Sequence, residues 1–164
     1  MLASFARIAY KMTILDKIIK LFDEAGILYE KLEHEPVYTS EDAAKIRDTG
    51  LSMGAKALIL FADKKPVLVV VPGDKRLDFN KFKKLVSIKD LRMAAREEVY
   101  NLTGLEVGSI PPVGKALNLQ SYYSDDFKQK DMVAFNAGMH TVSIKMKASD
   151  LLKVEEPLFG DFSG

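Results

Sequence analysis

A single lysine opens an apolar run in Gly54-Ala55-Lys56-Ala57-Leu58-Ile59-Leu60-Phe61. A short apolar run between a glycine and the turn-like Asp63-Lys64-Lys65-Pro66 reads as a strand buried on both faces, too short for a typical helix. Alternation puts Lys56, Leu58 and Leu60 on one face. A charged amine there either snorkels out past the strand end or meets an anion, because an unpaired buried charge is strongly disfavoured.

A second group with chemical potential is the stretch Thr103 to Gly114, with three glycines and two prolines in twelve residues. Such a loop has a fixed and unusual backbone. It is not a Walker loop. Gly108 to Gly114 is a residue too long, Pro111 and Pro112 remove amide donors, and Ala116 follows Lys115 where Ser or Thr is required. A third group is basic: Lys75 to Arg96 holds eight bases against two acids, an excess of six. Within it Lys81, Lys83 and Lys84 form either a solvated helix face or a surface for a phosphate backbone.

Other chemistries are excluded by what the chain lacks. No cysteine is present and only two histidines, His34 and His140. Disulfides, thiolate metal sites and a cysteine nucleophile are therefore ruled out, and two histidines are too few for most zinc sites. No Gly-x-Ser-x-Gly elbow, His-x-x-x-His pair or dinucleotide glycine fingerprint occurs. We expect no metal and no cofactor, so an enzyme of this sequence must work with few side chains.

The elements that position these groups follow in order. Thr13 to Ala25 reads as an amphipathic helix with a capping-box start at Thr13 and Asp16, ended by Gly26. Ile27 to Leu32 is a short strand, and His34 to Thr39 is extended around Pro36. His34 is expected to hold that segment by ordinary hydrogen bonds. Thr39 or Ser40 caps a helix through Arg47, closed by Gly50. After the Lys56 strand, Val67 to Val71 is its hairpin partner, stopped by Pro72-Gly73-Asp74. Asp78 caps a helix with Phe79, Phe82 and Leu85 inward, and Ala95 to Leu102 forms another. Leu117 to Tyr123, Met132 to Asn136 and Thr141 to Met146 read as strands, with Ala137 to His140 the tight turn between the last two. Asp150 to Lys153 is at most a helical turn.

The chain has 164 residues, 48% of them hydrophobic, with 24 basic and 23 acidic side chains. One domain with a substantial core fits these numbers, and near-zero net charge does not announce a nucleic-acid protein. Residues 1–12 read as an N-terminal extension, 13–154 as the domain and 155–164 as a loose tail. No apolar run approaches the ~20 residues that span a bilayer, so we expect a soluble, cytoplasmic protein without a membrane partner.

Five features stand in a specific order: His34-x-Pro36 with Thr39, the Lys56 strand, Pro72-Gly73-Asp74 before a lysine-rich helix, the Gly104/Gly108/Pro112/Gly114 loop, and Ala137-Gly138. In this order they resemble the YbaK/ProX family, the aminoacyl-tRNA editing domain also found within bacterial prolyl-tRNA synthetases. The resemblance runs from about Thr13 to Lys153. It implies a single α+β domain with a mixed, partly closed, barrel-like sheet surrounded by helices. It also implies hydrolysis of the ester on mischarged tRNA, a function in translation quality control. The family's essential lysine corresponds to Lys56, placed to hold the 3′-terminal adenosine and its phosphate. The loop matching Gly108 to Pro112 surrounds the aminoacyl group.

On that resemblance Lys56 and Gly108 are the catalytic candidates. Thr39, Gly73, Asp74, Ser109, Ile110, Pro111, Pro112, Gly138 and His140 are candidates for substrate binding, and Lys81, Lys83 and Lys84 for tRNA binding. His140 matches a pocket histidine of some relatives, although a turn histidine without an acid partner is commonly just solvated. Two departures bear on substrate: Ala57 follows the lysine where many alanine-editing members carry asparagine, and Pro111 stiffens the loop. The expected partner is the acceptor end of aminoacylated tRNA, with a synthetase as a further partner. The competing readings are a non-catalytic tRNA- or synthetase-binding module of the same fold, and a small-molecule ester or amide hydrolase.

Overall fold

The computed structural model describes residues 11–164, so the first ten residues of the expected N-terminal extension lie outside the described residues. Helix α1 (Ile14–Glu24) begins as the sequence predicts: Thr13 Oγ1 accepts from the Asp16 amide at 3.1 Å, and Asp16 Oδ2 accepts from the Thr13 amide at 3.0 Å. Its apolar face buries Ile18 and Phe22 completely. Strand β1 (Tyr29–Glu33) follows. Helix α2 (Ser40–Arg47) is capped by Thr39 and ends earlier than Gly50, because Asp48 adopts the left-handed conformation with φ 55°.

Strands β2 (Ala55–Ala62) and β3 (Lys65–Pro72) form the expected antiparallel hairpin, with Lys56 opposite Val71. Helix α3 (Phe79–Val86) is capped by Asp78 Oδ1, which accepts from the Lys81 amide at 3.0 Å. Of the three residues expected inward only Phe82 is fully buried, and Phe79 and Leu85 are exposed. Strand β4 (Leu91–Met93), inside the basic segment, was not expected; it pairs with the end of β2. Helix α4 (Arg96–Thr103) stops at left-handed Gly104.

The stretch from Leu117 to Tyr123 is not a continuous strand. It is divided between a helical turn, α5 (Gly114–Leu117), and β5 (Ser121–Ser124), with Asn118 left-handed at φ 55° between them. Strand β6 (Met132–Met139) continues through Ala137 and Gly138, and its pairing with β7 (Val142–Lys147) is irregular between Asn136 and Met139. The expected tight turn is therefore moved to His140-Thr141. Helix α6 (Ala148–Glu155) has eight residues rather than a single turn.

The expected loose tail is ordered into the fold. Strand β8 (Leu158–Gly160) adds to β5 in parallel, and Phe162 is fully buried against Phe82, ring centroids 5.3 Å apart. A fully buried phenylalanine contributes about 1.5–3 kcal/mol, which explains why so short a segment stays docked.

The expected barrel-like closure is also corrected. The strands form two open sheets, a three-stranded β1-β7-β6 and a five-stranded β4-β2-β3-β5-β8. They meet at one isolated parallel bridge, Gly54 with Ala134. Closure needs a continuous ladder, and β6 leaves β2 after that bridge. The main core lies between the sheets and joins Ile18, Phe22, Ile59, Leu68, Val70, Phe135 and Ile144. A second core, Leu60, Val67, Val69, Val71, Phe82 and Phe162, covers the other face of the larger sheet. Both faces of the β2–β3 hairpin are thus buried, as its unbroken apolar runs predict. No helix among the described residues is long and apolar enough to cross a membrane.

Candidate functional site

The site lies where the sheets fail to join. Strand β4 pairs only with Leu60 to Ala62, so the first half of β2 has no strand on that side. The Gly73 amide donates to the Gly54 carbonyl at 2.8 Å, and the Ala94 amide donates to the Ile59 carbonyl at 3.0 Å on the opposite edge. Because backbone groups alternate along a strand, Lys56 and Leu58 bond toward β3, while Ala57 presents its N–H and C=O to the open edge. A cavity of about 260 Å³ fills this gap, walled by Ala55 to Ile59, α2, Phe135 and Asn136 of β6, and Gly108 and Ile110.

Lys56 is half-buried in this wall, and its Nζ donates to the Lys75 carbonyl at 2.9 Å. Burial lowers its pKa from the ordinary 10.5 and Arg76 adds to the effect, while Glu41 and Asp74 oppose it. One of three ammonium donors is thereby engaged at Lys75. The amine neither snorkels free nor meets a carboxylate, since no acid among the described residues lies within ion-pair distance.

The glycine-rich loop supplies the facing wall. Gly108 has φ +92°, and a Cβ added there would stand 3.3 Å from His140 Cε1. Ser109 and the two prolines lie buried behind the lining. The Ser109 hydroxyl donates to the Glu106 carbonyl at 2.8 Å, and Tyr123 donates its phenol to the Pro112 carbonyl. Glu155, only 4% exposed, closes the loop by accepting from the Gly114 amide at 2.6 Å and the Lys115 amide at 3.2 Å. Burial raises its pKa, and the bonds from Ser121 and those two amides oppose the shift.

Sequence reasoning missed Arg47 and Asn136. The Arg47 guanidinium lines the cavity and has no carboxylate partner among the described residues. Its Nε donates to Ser143 Oγ at 2.8 Å and its Nη2 to Asn136 Oδ1 at 2.7 Å. Burial pushes its pKa down to about 10. Asn136 then donates to the Gly108 carbonyl at 2.8 Å. His34 Nδ1 donates to the Glu35 carbonyl at 2.8 Å, so Nε2 is free to accept from Ser143 Oγ at 2.7 Å. His34 thus holds its segment as expected and also braces this network. The available signal was a polar residue in each of two paired strands, Asn136 opposite Ser143.

Of the residues singled out in the sequence, Thr39, Lys56, Gly73, Gly108 and Ile110 line the cavity. Thr39 also caps α2, accepting from the Asp42 amide at 3.0 Å. Gly73 permits a close crossing, since a Cβ there would lie 2.6 Å from the Leu51 carbonyl oxygen. Asp74 is exposed and reaches Lys56 through its charge. Gly138 stands outside the lining and braces the loop, its N–H donating to the Ser109 carbonyl at 3.0 Å. His140 lines an adjoining cleft with Tyr38 and Val107, which also border the first cavity. It does have an acid partner, contrary to expectation: Nε2 lies 3.1 Å from Glu106 Oε2, and Nδ1 lies 3.0 Å from the Val37 carbonyl. Lys81, Lys83 and Lys84 lie on α3, and none lines either cavity. Among the described residues no cluster of three or more His, Asp or Glu is placed to hold a metal ion.

This arrangement is a small cavity lined by two cationic residues, Lys56 and Arg47, with an open strand edge and a rigid loop. It can hold an anion and orient a neighbouring group, without a side-chain nucleophile. The chain is 30% identical over 152 residues to the multifunctional Ser/Thr-tRNA deacylase ProXp-y of Escherichia coli (strain K12), covering 89% of this chain and 90% of that protein. It is 39% identical over 89 residues to a proline--tRNA ligase of Solidesulfovibrio magneticus, covering 54% of this chain and 16% of the ligase. Among solved structures, a proposed trans-editing enzyme for prolyl tRNA synthetase superposes with TM-score 0.79 at 25% identity, over 94% of this chain and 99% of that one. The hypothetical protein APE2540 superposes with TM-score 0.82 at 28% identity, over 90% and 99%. With the aminoacyl-tRNA editing domain model matching residues 34–154, the chain belongs to the aminoacyl-tRNA editing domain family.

Proposed function

We propose that the chain is an aminoacyl-tRNA deacylase that acts in trans in translation quality control, hydrolysing the ester on mischarged tRNA in the Lys56 cavity. The observation that carries this reading is that Lys56, the Ala57 backbone edge and Gly108 line one cavity of about 260 Å³, with the Lys56 ammonium held at the Lys75 carbonyl. The phosphate of the 3′-terminal adenosine takes the free donors of Lys56, which acts as a compact point charge. The ester carbonyl then lies against the open edge, where the Ala57 N–H is oriented toward the developing oxyanion. One such donor typically contributes about 3 kcal/mol to the transition state. Water is the nucleophile, and the substrate's 2′-hydroxyl or amino group relays the proton.

The loop reads the amino acid. Its carbonyl at Gly108 is held by Asn136 and its far end by Glu155, so the pocket has a fixed size suited to a small side chain. The likeness to ProXp-y puts serine and threonine first among the candidates, and Ala57 in place of asparagine is a reason not to put alanine first. Lys81, Lys83 and Lys84 contact the tRNA backbone at a distance from the chemistry, and His140 forms the outer rim. The protein works in the cytoplasm, and a synthetase that supplies the mischarged tRNA is its further partner. The test is incubation with a panel of labelled aminoacyl-tRNAs, scored for release of the amino acid. Release from seryl-, threonyl- or another small aminoacyl-tRNA is expected. No release from any member of the panel overturns the reading.

A further inference from the structure

The amine of Lys56 is held by a backbone carbonyl, and the element that holds that carbonyl lies outside residues 34–154, where the family model matches. The Lys75 carbonyl and the Arg76 N–H belong to one planar trans peptide and therefore point in opposite directions. On one side Lys56 Nζ donates to the Lys75 oxygen at 2.9 Å. On the other the Arg76 N–H donates to the Gly164 carbonyl at 3.0 Å, and Gly164 returns its own N–H to the Arg76 carbonyl at 2.9 Å. This peptide plane is thus clamped between the site lysine and the last residues of the chain.

The clamp continues along both strands. Leu77 and Ser163 form an antiparallel bridge, and the Asp78 amide donates to the Phe162 carbonyl at 2.7 Å. Ser163 Oγ donates to Asp126 Oδ2 at 2.7 Å, and the same oxygen accepts from Lys75 Nζ at 3.0 Å and lies 2.9 Å from Ser124 Oγ. Burial works against the Asp126 carboxylate, but the bonds from Ser163, Lys75 and Ser124 outweigh it and hold its pKa below the usual value. Phe162 plugs the segment into the second core. Backbone on one side and side chain on the other therefore tie residue 75 to the C-terminal segment.

We infer that Phe162 to Gly164 is a positioning element for Lys56: it orients the Lys75 carbonyl and so fixes where the ammonium meets the substrate phosphate. The inference rests on the catalytic reading of Lys56 given above. Phe162 supplies the anchoring, and the backbone of Ser163 and Gly164 supplies the orientation.

The decisive variant deletes Ser163 and Gly164 and leaves Phe162 in its core. A chain shortened in this way is expected to lose about tenfold in kcat with KM within twofold, because the ester is bound but misaligned. Appending Ala-Ala after Phe162 restores kcat, since the clamp is made by backbone. Gly164→Pro, which removes the N–H donated to the Arg76 carbonyl and constrains the backbone at 163–164, is expected to lower kcat in the same direction in a full-length chain. In parallel, the Lys56 Cε resonance of lysine-labelled protein, assigned through Lys56→Arg, is expected to shift in the shortened chain. An unchanged kcat together with an unchanged Lys56 resonance in folded variants overturns the inference, and so does failure of Ala-Ala to restore turnover. If the full-length protein releases no amino acid from any aminoacyl-tRNA, the functional reading fails, whereas the Lys56 resonance still decides the clamp.

Discussion

The side-chain amide of Asn136 donates to the carbonyl of Gly108 across 2.8 Å, tying strand β6 to the loop at the point where the backbone turns left-handed. The other end of the amide accepts from Arg47, so both polar atoms of Asn136 are committed. Asn136→Ala leaves Nη2 of Arg47 and the Gly108 carbonyl without their partner, while Nε of Arg47 keeps Ser143, and should lower stability by about 1–3 kcal/mol. Asn136→Asp separates stability from function. It strengthens the bond to Arg47 but sets a carboxylate oxygen against the Gly108 carbonyl. Urea unfolding should therefore show Asp more stable than Ala at this position, while kcat/KM is at least tenfold below wild type in both. Equal activity in wild type and Asn136→Asp would remove the brace from the account of the site.

Lys56→Ala is expected to abolish deacylation in a folded protein. Lys56→Arg should also fail substantially, because a planar guanidinium does not reproduce a compact ammonium held at the Lys75 carbonyl. Single-turnover rates on the substrate found by the panel, with circular dichroism as the folding control, decide the point. Near-normal turnover by Lys56→Ala would sink the assignment.

The acid–base behaviour of Lys56 gives a prediction with a definite sign. Burial, with Arg76 close by, lowers its folded-state pKa below the ordinary 10.5. The phosphate-binding ammonium is therefore lost as pH rises through that lowered value, and kcat/KM should decline on the alkaline side before a free lysine would titrate. Stability moves the other way in the same window. Between the folded and unfolded pKa values the unfolded chain binds the extra proton, so the contribution of this group to stability rises with pH. Rates corrected for spontaneous ester hydrolysis, measured beside denaturant midpoints, test both signs. Activity that stays level until above pH 10.5 contradicts the catalytic role of the ammonium.

Gly108→Ala places a side chain at φ +92° and brings its Cβ to 3.3 Å from the His140 ring, a strain on the order of 1–3 kcal/mol. Turnover should fall for every substrate. Pro112→Ala instead loosens the loop, and because one methylene discriminates by only about 1–3 kcal/mol, a small shift is enough to erase selectivity. The comparison is kcat/KM for alanyl-, seryl- and cysteinyl-tRNAs on both variants. Full activity in Gly108→Ala, or unchanged ratios in Pro112→Ala, returns the loop to a purely structural role.

Lys81, Lys83 and Lys84 carry the basic face of α3 away from the cavity. Replacing each by Ala should weaken tRNA binding and reduce the salt slope by about 1 for every phosphate that its ammonium neutralises, with kcat unchanged. Lys81 lies 3.9 Å from Asp161 in a solvent-exposed pair that contributes little, so the pairing leaves its amine available. A salt dependence identical in wild type and the triple variant would reduce the segment to a solvated helix face.

Nearest-neighbour chemistry accounts for what the sequence alone determined. The capping box of Thr13 and Asp16, the Asp78 and Thr39 caps, the β2–β3 hairpin and the placement of Lys56 on a strand are all local, and each appears where periodicity and cap residues place it. Family membership was also legible, because the order of short motifs survives in one dimension. The tertiary structure decided everything that depends on which distant segment a polar group meets. Arg47 and Asn136 are 89 residues apart and Lys75 and Asp126 are 51 apart, and no local pattern relates either pair. The tail reads as loose because Leu158 to Gly164 has too few apolar residues to make a core alone; it is ordered because β5 and residues 76–78 offer unpaired backbone groups to it. The open gap between the sheets has the same origin. Whether β6 continues along β2 or leaves it after Gly54 is settled by packing between the sheets, and that departure creates the cavity in which Lys56 stands.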